Sequence, residues 1–191
     1  MSMKVESEGA VLRAYKVLSS GKSGFTGSRW PLPEAGEPGP WISVSGPLGL
    51  CVNGIHASTV EQLPQWLGDE IWEAELGGEV LKTEPALVAA RARLVGQVSE
   101  WDEAAQIAFC RDCAERAEMI AARYPPGAAV LTGVIEPCTD RGMAAAVGYW
   151  AALLAGESAS ARRAGAEYDA AFARERAAQA IWLRRELRLG D

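Results

Sequence analysis

Imidazole is nearly absent from this chain: its 191 residues hold one histidine, His56. Histidine alone has an ordinary pKa near neutrality, so conventional imidazole acid–base or ligand chemistry must run through that position or not occur. Lysine is scarce as well, standing only at 4, 16, 22 and 82. The formal net charge of −6 is spread evenly, with eight basic against eleven acidic side chains in residues 1–98 and eleven against fourteen in 99–191. Neither half has the concentrated basic face that neutralises phosphates, which argues against general nucleic-acid binding. The densest basic cluster, Arg184-Arg185, suits the C-terminal end of a helix. Four cysteines, at 51, 110, 113 and 138, are too few for a disulfide scaffold. No run approaches the roughly 18 apolar residues of a membrane span. The stretch Met1-Ser2-Met3-Lys4-Val5-Glu6-Ser7-Glu8 lacks an apolar signal core, so the sequence predicts a soluble cytoplasmic protein with reduced thiols and no membrane partner.

What is present divides near residue 98. Before it, short apolar runs alternate with Gly and Pro; after it, alanine-rich segments carry helical spacing. The first part predicts strands at Val11–Leu18, Trp41–Val44, Leu48–Val52 and Glu70–Leu76. A turn at Gly77-Gly78 leads into Glu79–Lys82, and Leu87–Val98 supplies a last apolar stretch. Between them lies a Gly/Pro loop with Trp30 and Trp41, and a short helix from Thr59 that Gly68 ends in a left-handed conformation. The second part predicts helices over Trp101–Arg123, Arg141–Ala155 and Ser158–Leu189, the last two separated at Gly156. Apolar residues at 101, 104, 105, 108, 109 and 113 form the stripe of the first helix. Ala128–Cys138 fits strand or helix equally.

Several groups of residues invite chemistry, each with a plainer reading beside it. Cys110-Arg111-Asp112-Cys113 has redox or metal spacing, but it sits in mid-helix with no second pair, as a structural pair would. Ser20-Gly21-Lys22-Ser23 lacks the first glycine of a phosphate loop, although its glycines and Lys22 with Arg29 could hold a polar ligand. Glu73 and Glu75 share one face of a strand, as solvated residues or as an acid–base group, with Glu75 nearer the rigid strand centre. Trp30 and Trp41 serve either the core or a pocket for a flat or cationic ligand. His56 follows Asn53-Gly54 at a strand-to-helix junction, where either a structural hydrogen bond or a site fits.

The succession Gly27…Trp30-Pro31…Trp41…Leu50-Cys51…Gly54-Ile55-His56-Ala57…Leu63-Pro64…Trp66-Leu67…Ile71-Trp72-Glu73…Glu75-Leu76…Gly78-Glu79-Val80 resembles a widespread, mainly actinobacterial family of unknown function. The resemblance covers residues 14–115, with an echo at Glu175-Arg176…Gln179…Trp182-Leu183, and implies no activity. More remotely, a strand, Gly-Ile-His, a short helix and a strand with Glu are similar to the middle of ADP-ribosyltransferase-like folds. That likeness implies a first-strand Arg or His gripping NAD, with His56 orienting substrate and Glu75 polarising it. Here Arg13 is the only first-strand arginine, and Glu136 the only late glutamate that stands out.

The expected fold class is α+β: a small, mostly antiparallel sheet in the N-terminal half with a helical C-terminal half packed on it. Residues 10–122 are expected to form the domain with the site, and 123–191 a helical extension on the same core. The leading functional expectation is a small-ligand-binding or interaction domain with a pocket between loop 21–41 and the Cys51–His56 turn. Arg29, Trp30, Trp41 and Cys51 would bind, while His56 and Glu75 would carry any chemistry. The alternatives are an ADP-ribosyltransferase-like enzyme using NAD or another nucleotide, and a scaffold that homodimerises through its C-terminal helices. The residues identify no cofactor and supply no metal-ligand set.

Overall fold

The computed structural model describes residues 3–5, 11–24, 26–121, 143–160 and 166–190. Ala128–Cys138, with Glu136, lies outside them. The chain divides into two compact units, one running to Ser99 and one spanning Glu100–Gly190, and the sequence boundary falls where the composition changes. The class is α+β, with strands before the boundary and helices after it.

Six strands make the first unit's sheet: β1 (Met3–Val5), β2 (Leu12–Leu18), β3 (Ile42–Ser43), β4 (Ile55–Ala57), β5 (Glu70–Lys82) and β6 (Leu87–Gln97). All its pairings are antiparallel. The long β5–β6 hairpin is the spine, with β1 and β2 on the free side of β5 and β3 and β4 on that of β6. The order β2–β5–β6–β4 returns toward β2, because Tyr15 and Ser58 exchange two backbone hydrogen bonds of 2.8 Å. Alternation then sends Ala14 and Leu18, Ile55 and Ala57, Trp72, Ala74 and Leu76, and Ala92 and Leu94 into one apolar cluster. Fully buried Leu18, Leu76 and Leu94 each contribute about 2 kcal/mol relative to exposure.

Four local expectations change. Gly77-Gly78 is not a turn: β5 runs straight through it, and a register shift between Gly77 and Val80 absorbs an extra residue with Gly78 at φ 71°. A glycine bulge accentuates twist without ending pairing. Leu48–Val52 is a tight turn rather than a strand, closed by mutual backbone bonds between Gly49 and Asn53. The strand begins later, at Ile55. The short helix shrinks to a 3₁₀ turn at Leu63–Gln65, with the Gln62 side chain accepting the Thr59 N–H at 3.0 Å. Finally, Gly68 is not left-handed; a Cβ there would stand 2.8 Å from Val17 Cγ1, so close approach to β2 explains it.

The second unit contains α1 (Glu103–Ala121), α2 (Ala144–Ser160) and α3 (Ala166–Glu186). Asp102 caps α1, its Oδ1 accepting the Ala105 N–H at 2.8 Å. The buried stripe of α1 is Gln106, Phe109, Cys110, Cys113 and Ala117, rotated from the expected one, with Ala104 and Ala108 exposed. Alanine carries too little area to fix a helix's rotation, whereas Phe109 fixes it between Trp101 and Trp182, ring centroids 6.0 and 5.3 Å away. Gly156 lies inside α2 instead of ending it. A Cβ there would be 2.7–3.0 Å from the Tyr168 ring, so this glycine lets α2 and α3 approach. Acidic Glu167 and Asp169 begin α3, and Arg184 and Arg185 close it in accord with its dipole.

Candidate functional site

The expected site residues fall into separate groups. The first is the turn before β4. Asn53 donates its side-chain amide to the carbonyls of Ser45 and Pro47, both at 3.0 Å, and Cys51 is held at φ 58°. The exposed Cys51 directs its backbone N–H to His56 Nε2 at 3.1 Å. An imidazole accepting at Nε2 is neutral there, with its proton on Nδ1. Burial first, then the Lys16 ammonium, hold its pKa below the ordinary value, while a hydrogen bond with the Gly54 backbone acts the other way. His56 is thus a half-buried neutral acceptor that fastens the turn. Gly54 is obligatory beside it, at φ 129° with a Cβ position 2.3 Å from Val88 Cγ1.

A second group surrounds Lys16, which the sequence reading passed over. Its side chain shares the face of Ala14 and Leu18 and is 8% exposed. The ammonium donates to the His56 carbonyl at 2.8 Å and stands 5.3 Å from the Trp30 ring centroid. Burial without a carboxylate partner pushes its pKa down to about 8. Trp30 is therefore a core residue, 7% exposed. Nearby, Glu70 accepts from Trp72 Nε1 at 2.9 Å and from the Gly21 N–H at 3.2 Å. Ser20 and Gly21 both have positive φ in a two-residue hairpin between Ser19 and Lys22, which is what the phosphate-loop-like stretch builds. Arg29 bridges to Lys22 through backbone and leaves its side chain exposed.

The third group covers the outward face of the sheet's centre. Glu75 Oε2 receives both Arg93 Nε and Nη2 at 2.6 Å. The Arg93 and Arg91 guanidinium carbons each lie 4.8 Å from the Trp41 ring centroid. Gly77, at the β5 bulge, leaves room for that indole: a Cβ would meet its edge at 3.3 Å. Arg13 is the Cα partner of Glu75 across β2–β5, as Arg93 is across β5–β6. The alternation Arg91-Ala92-Arg93 in an apolar strand was the available signal for these arginines; it puts both on the face away from Ala92.

Trp41 and Glu75 are thus brought together through Arg93, and Cys51 is joined to His56. His56 and Glu75 are not joined: their β6 partners, Val88 and Arg93, are about 16 Å apart along the strand. Loop 31–40 carries an open depression of about 380 Å³ lined by Pro31, Leu32, Glu34, Glu37, Pro38, Gly39 and Pro40, so neither Trp30 nor Trp41 faces it. In the helical unit Cys110 and Cys113 are buried thiols not joined in a disulfide, and burial followed by Glu175 raises the Cys113 thiol pKa. Among the described residues no group of three His, Cys, Asp or Glu could hold a metal ion, and no helix is long and apolar enough to cross a membrane.

The first unit is an antiparallel sheet nearly closed on itself, with one outward cation–aromatic cluster. Comparison of the chain with protein-family models, curated proteins and solved structures finds no match.

Proposed function

We propose that the first unit is a small-ligand-binding or interaction domain whose recognition surface is the outward face around Trp41. The observation that carries this reading is the pair of guanidiniums, Arg91 and Arg93, set at one distance from a single indole. Arg93 is already held between Glu75 and Trp41, so part of the side-chain entropy of docking there is lost beforehand. Arginine on an aromatic face keeps its edge N–H groups available for a partner. The Cys51–His56 turn then supports the scaffold, since its imidazole acceptor is already engaged.

The test is a nitrogen–proton correlation spectrum of the labelled full chain, with the Trp41 indole assigned by Trp41→Phe. The probes are NAD, pyrophosphate, citrate, choline and nicotinamide, so the nucleotide-enzyme alternative is examined at the same time. Saturable movement of the Trp41 indole and the Gly77 and Gly78 amides is expected with at least one probe. Movement confined to residues around His56, or none anywhere at millimolar concentration, overturns this placement of the site.

A further inference from the structure

Resting on that reading, we infer that the Trp41 face takes a small oxoanion, a carboxylate or phosphate group on a compact molecule, and that Glu75 is the built-in competitor for Arg93. Arg13, Arg91 and Arg93 stand on this face with Glu75, and Glu73 and Glu79 lie along β5 to either side of it. Arg93 is neutralised by Glu75, while exposed Arg91 and Arg13 have no carboxylate partner among the described residues. Arg91 and Arg13 therefore keep guanidinium N–H groups to offer, although residues 1–98 as a whole are acidic. Glu73 is the next exposed carboxylate along β5, beyond a register shift that separates it from Ala74.

The chemistry selects the ligand's sign. The indole already has two guanidiniums near it, so an incoming cation meets repulsion rather than a free aromatic face. What the cluster still offers is guanidinium N–H donors in forked geometry, which match the paired oxygens of a carboxylate or phosphate. Glu75 shows the attraction already, although both nitrogens of Arg93 converge on one of its oxygens and leave the other open. An external oxoanion would bind Arg91 directly and compete with Glu75 for Arg93. The acidic surroundings favour a compact ion over a long polyanion such as single-stranded DNA, whose flanking phosphates would meet uncompensated charge.

The experiment titrates the labelled full chain with pyrophosphate, citrate, choline and a twenty-nucleotide single strand, following the Trp41 indole and the Gly77 and Gly78 amides. It is repeated in Glu75→Gln and Arg91→Ala, both substitutions on the outward face. Saturable shifts are expected with pyrophosphate or citrate and none with choline, the two anions separating phosphate from carboxylate preference. Glu75→Gln is expected to tighten the preferred anion by about threefold to tenfold and Arg91→Ala to weaken it by at least about threefold. Binding of choline at this face, tighter binding of the single strand than of either small anion, or anion affinity unchanged in both variants overturns the inference while leaving a recognition surface at Trp41. Silence of the Trp41 face toward every probe overturns the reading beneath it as well.

Discussion

The Nε2 of His56 accepts the backbone N–H of Cys51 at 3.1 Å, so the chain's only imidazole closes a turn of its own making. Cys51 pays for that turn with a left-handed backbone at φ 58°. Replacing Cys51 with Gly removes the steric penalty while keeping the N–H, and is expected to raise stability by up to about 1 kcal/mol. His56→Ala should lower it by about 1–2 kcal/mol, leaving the N–H without its acceptor. Urea unfolding of both variants checks this pair; a neutral His56→Ala would remove the structural role argued for the imidazole.

Burial, and then the Lys16 ammonium, give the same imidazole a pH dependence. Because the folded pKa of His56 is held below its unfolded value of 6.5, the unfolded chain binds more protons as pH falls through that window. The His56 contribution is therefore present above pH 6.5 and lost below it. Wild type and His56→Ala should converge in unfolding free energy as the pH is lowered from 6.5; a constant difference would contradict this.

Lys16 carries a second dependence at the alkaline side. Its pKa falls from 10.5 to about 8 on folding, so the burial cost, about 3 kcal/mol, is complete below pH 8. Between pH 8 and 10.5 the unfolded chain holds a proton the folded chain has released, and stability rises with pH. Relative to Lys16→Met, wild type should gain stability across that range in denaturant titrations. Parallel curves for the two proteins would mean that the ammonium stays charged in its core position.

In the helical unit, Gly156→Ala should destabilise by about 1–3 kcal/mol despite alanine's higher helix propensity, because its methyl would enter the Tyr168 ring. Adding Tyr168→Ala should recover part of the loss. Thermal unfolding of the single and double variants decides the matter, and additive losses would count against close packing of α2 on α3 as the cause.

Arg116 of α1 binds Glu175 of α3 through Nε at 3.1 Å and Nη2 at 2.9 Å, and also pairs with Asp112. Gln179 joins that carboxylate at 2.9 Å to the Gly148 carbonyl of α2 at 2.8 Å. Glu175 is only 5% exposed, so Glu175→Leu should cost up to about 3 kcal/mol, leaving Arg116 with Asp112 alone and the Gln179 amide without this acceptor. Arg116→Leu combined with it should cost less than the sum of the two single changes. Chemical denaturation of the four proteins in the cycle measures the coupling, and strict additivity would dissolve the network.

Much of the fold could be read because it rests on local periodicity. Apolar, β-branched and aromatic content along Leu12–Leu18, alternation along Glu70–Leu76 and helical spacing after residue 98 each encode an element within its own window. The face carrying Glu75 was legible for the same reason. Gly77-Gly78 and Gly156 misled because a glycine that ends an element and one that admits a neighbour look alike in sequence. Lys16 is not legible as a core group, because a lysine in an apolar strand reads as solvated until the partner face is known.

Sequence alone therefore determined the two-part α+β division, the antiparallel strands, and the lack of any imidazole other than His56. Tertiary structure decided where that imidazole's lone pair is spent, that Trp30 belongs to the core beside a buried ammonium, and that Trp41 meets Arg91 and Arg93, the latter held by Glu75. The reason is physical: periodicity is written in neighbouring residues, whereas these contacts join β2, β4, β5, β6 and the loop before β3 through register and bulges that pairing across the sheet sets.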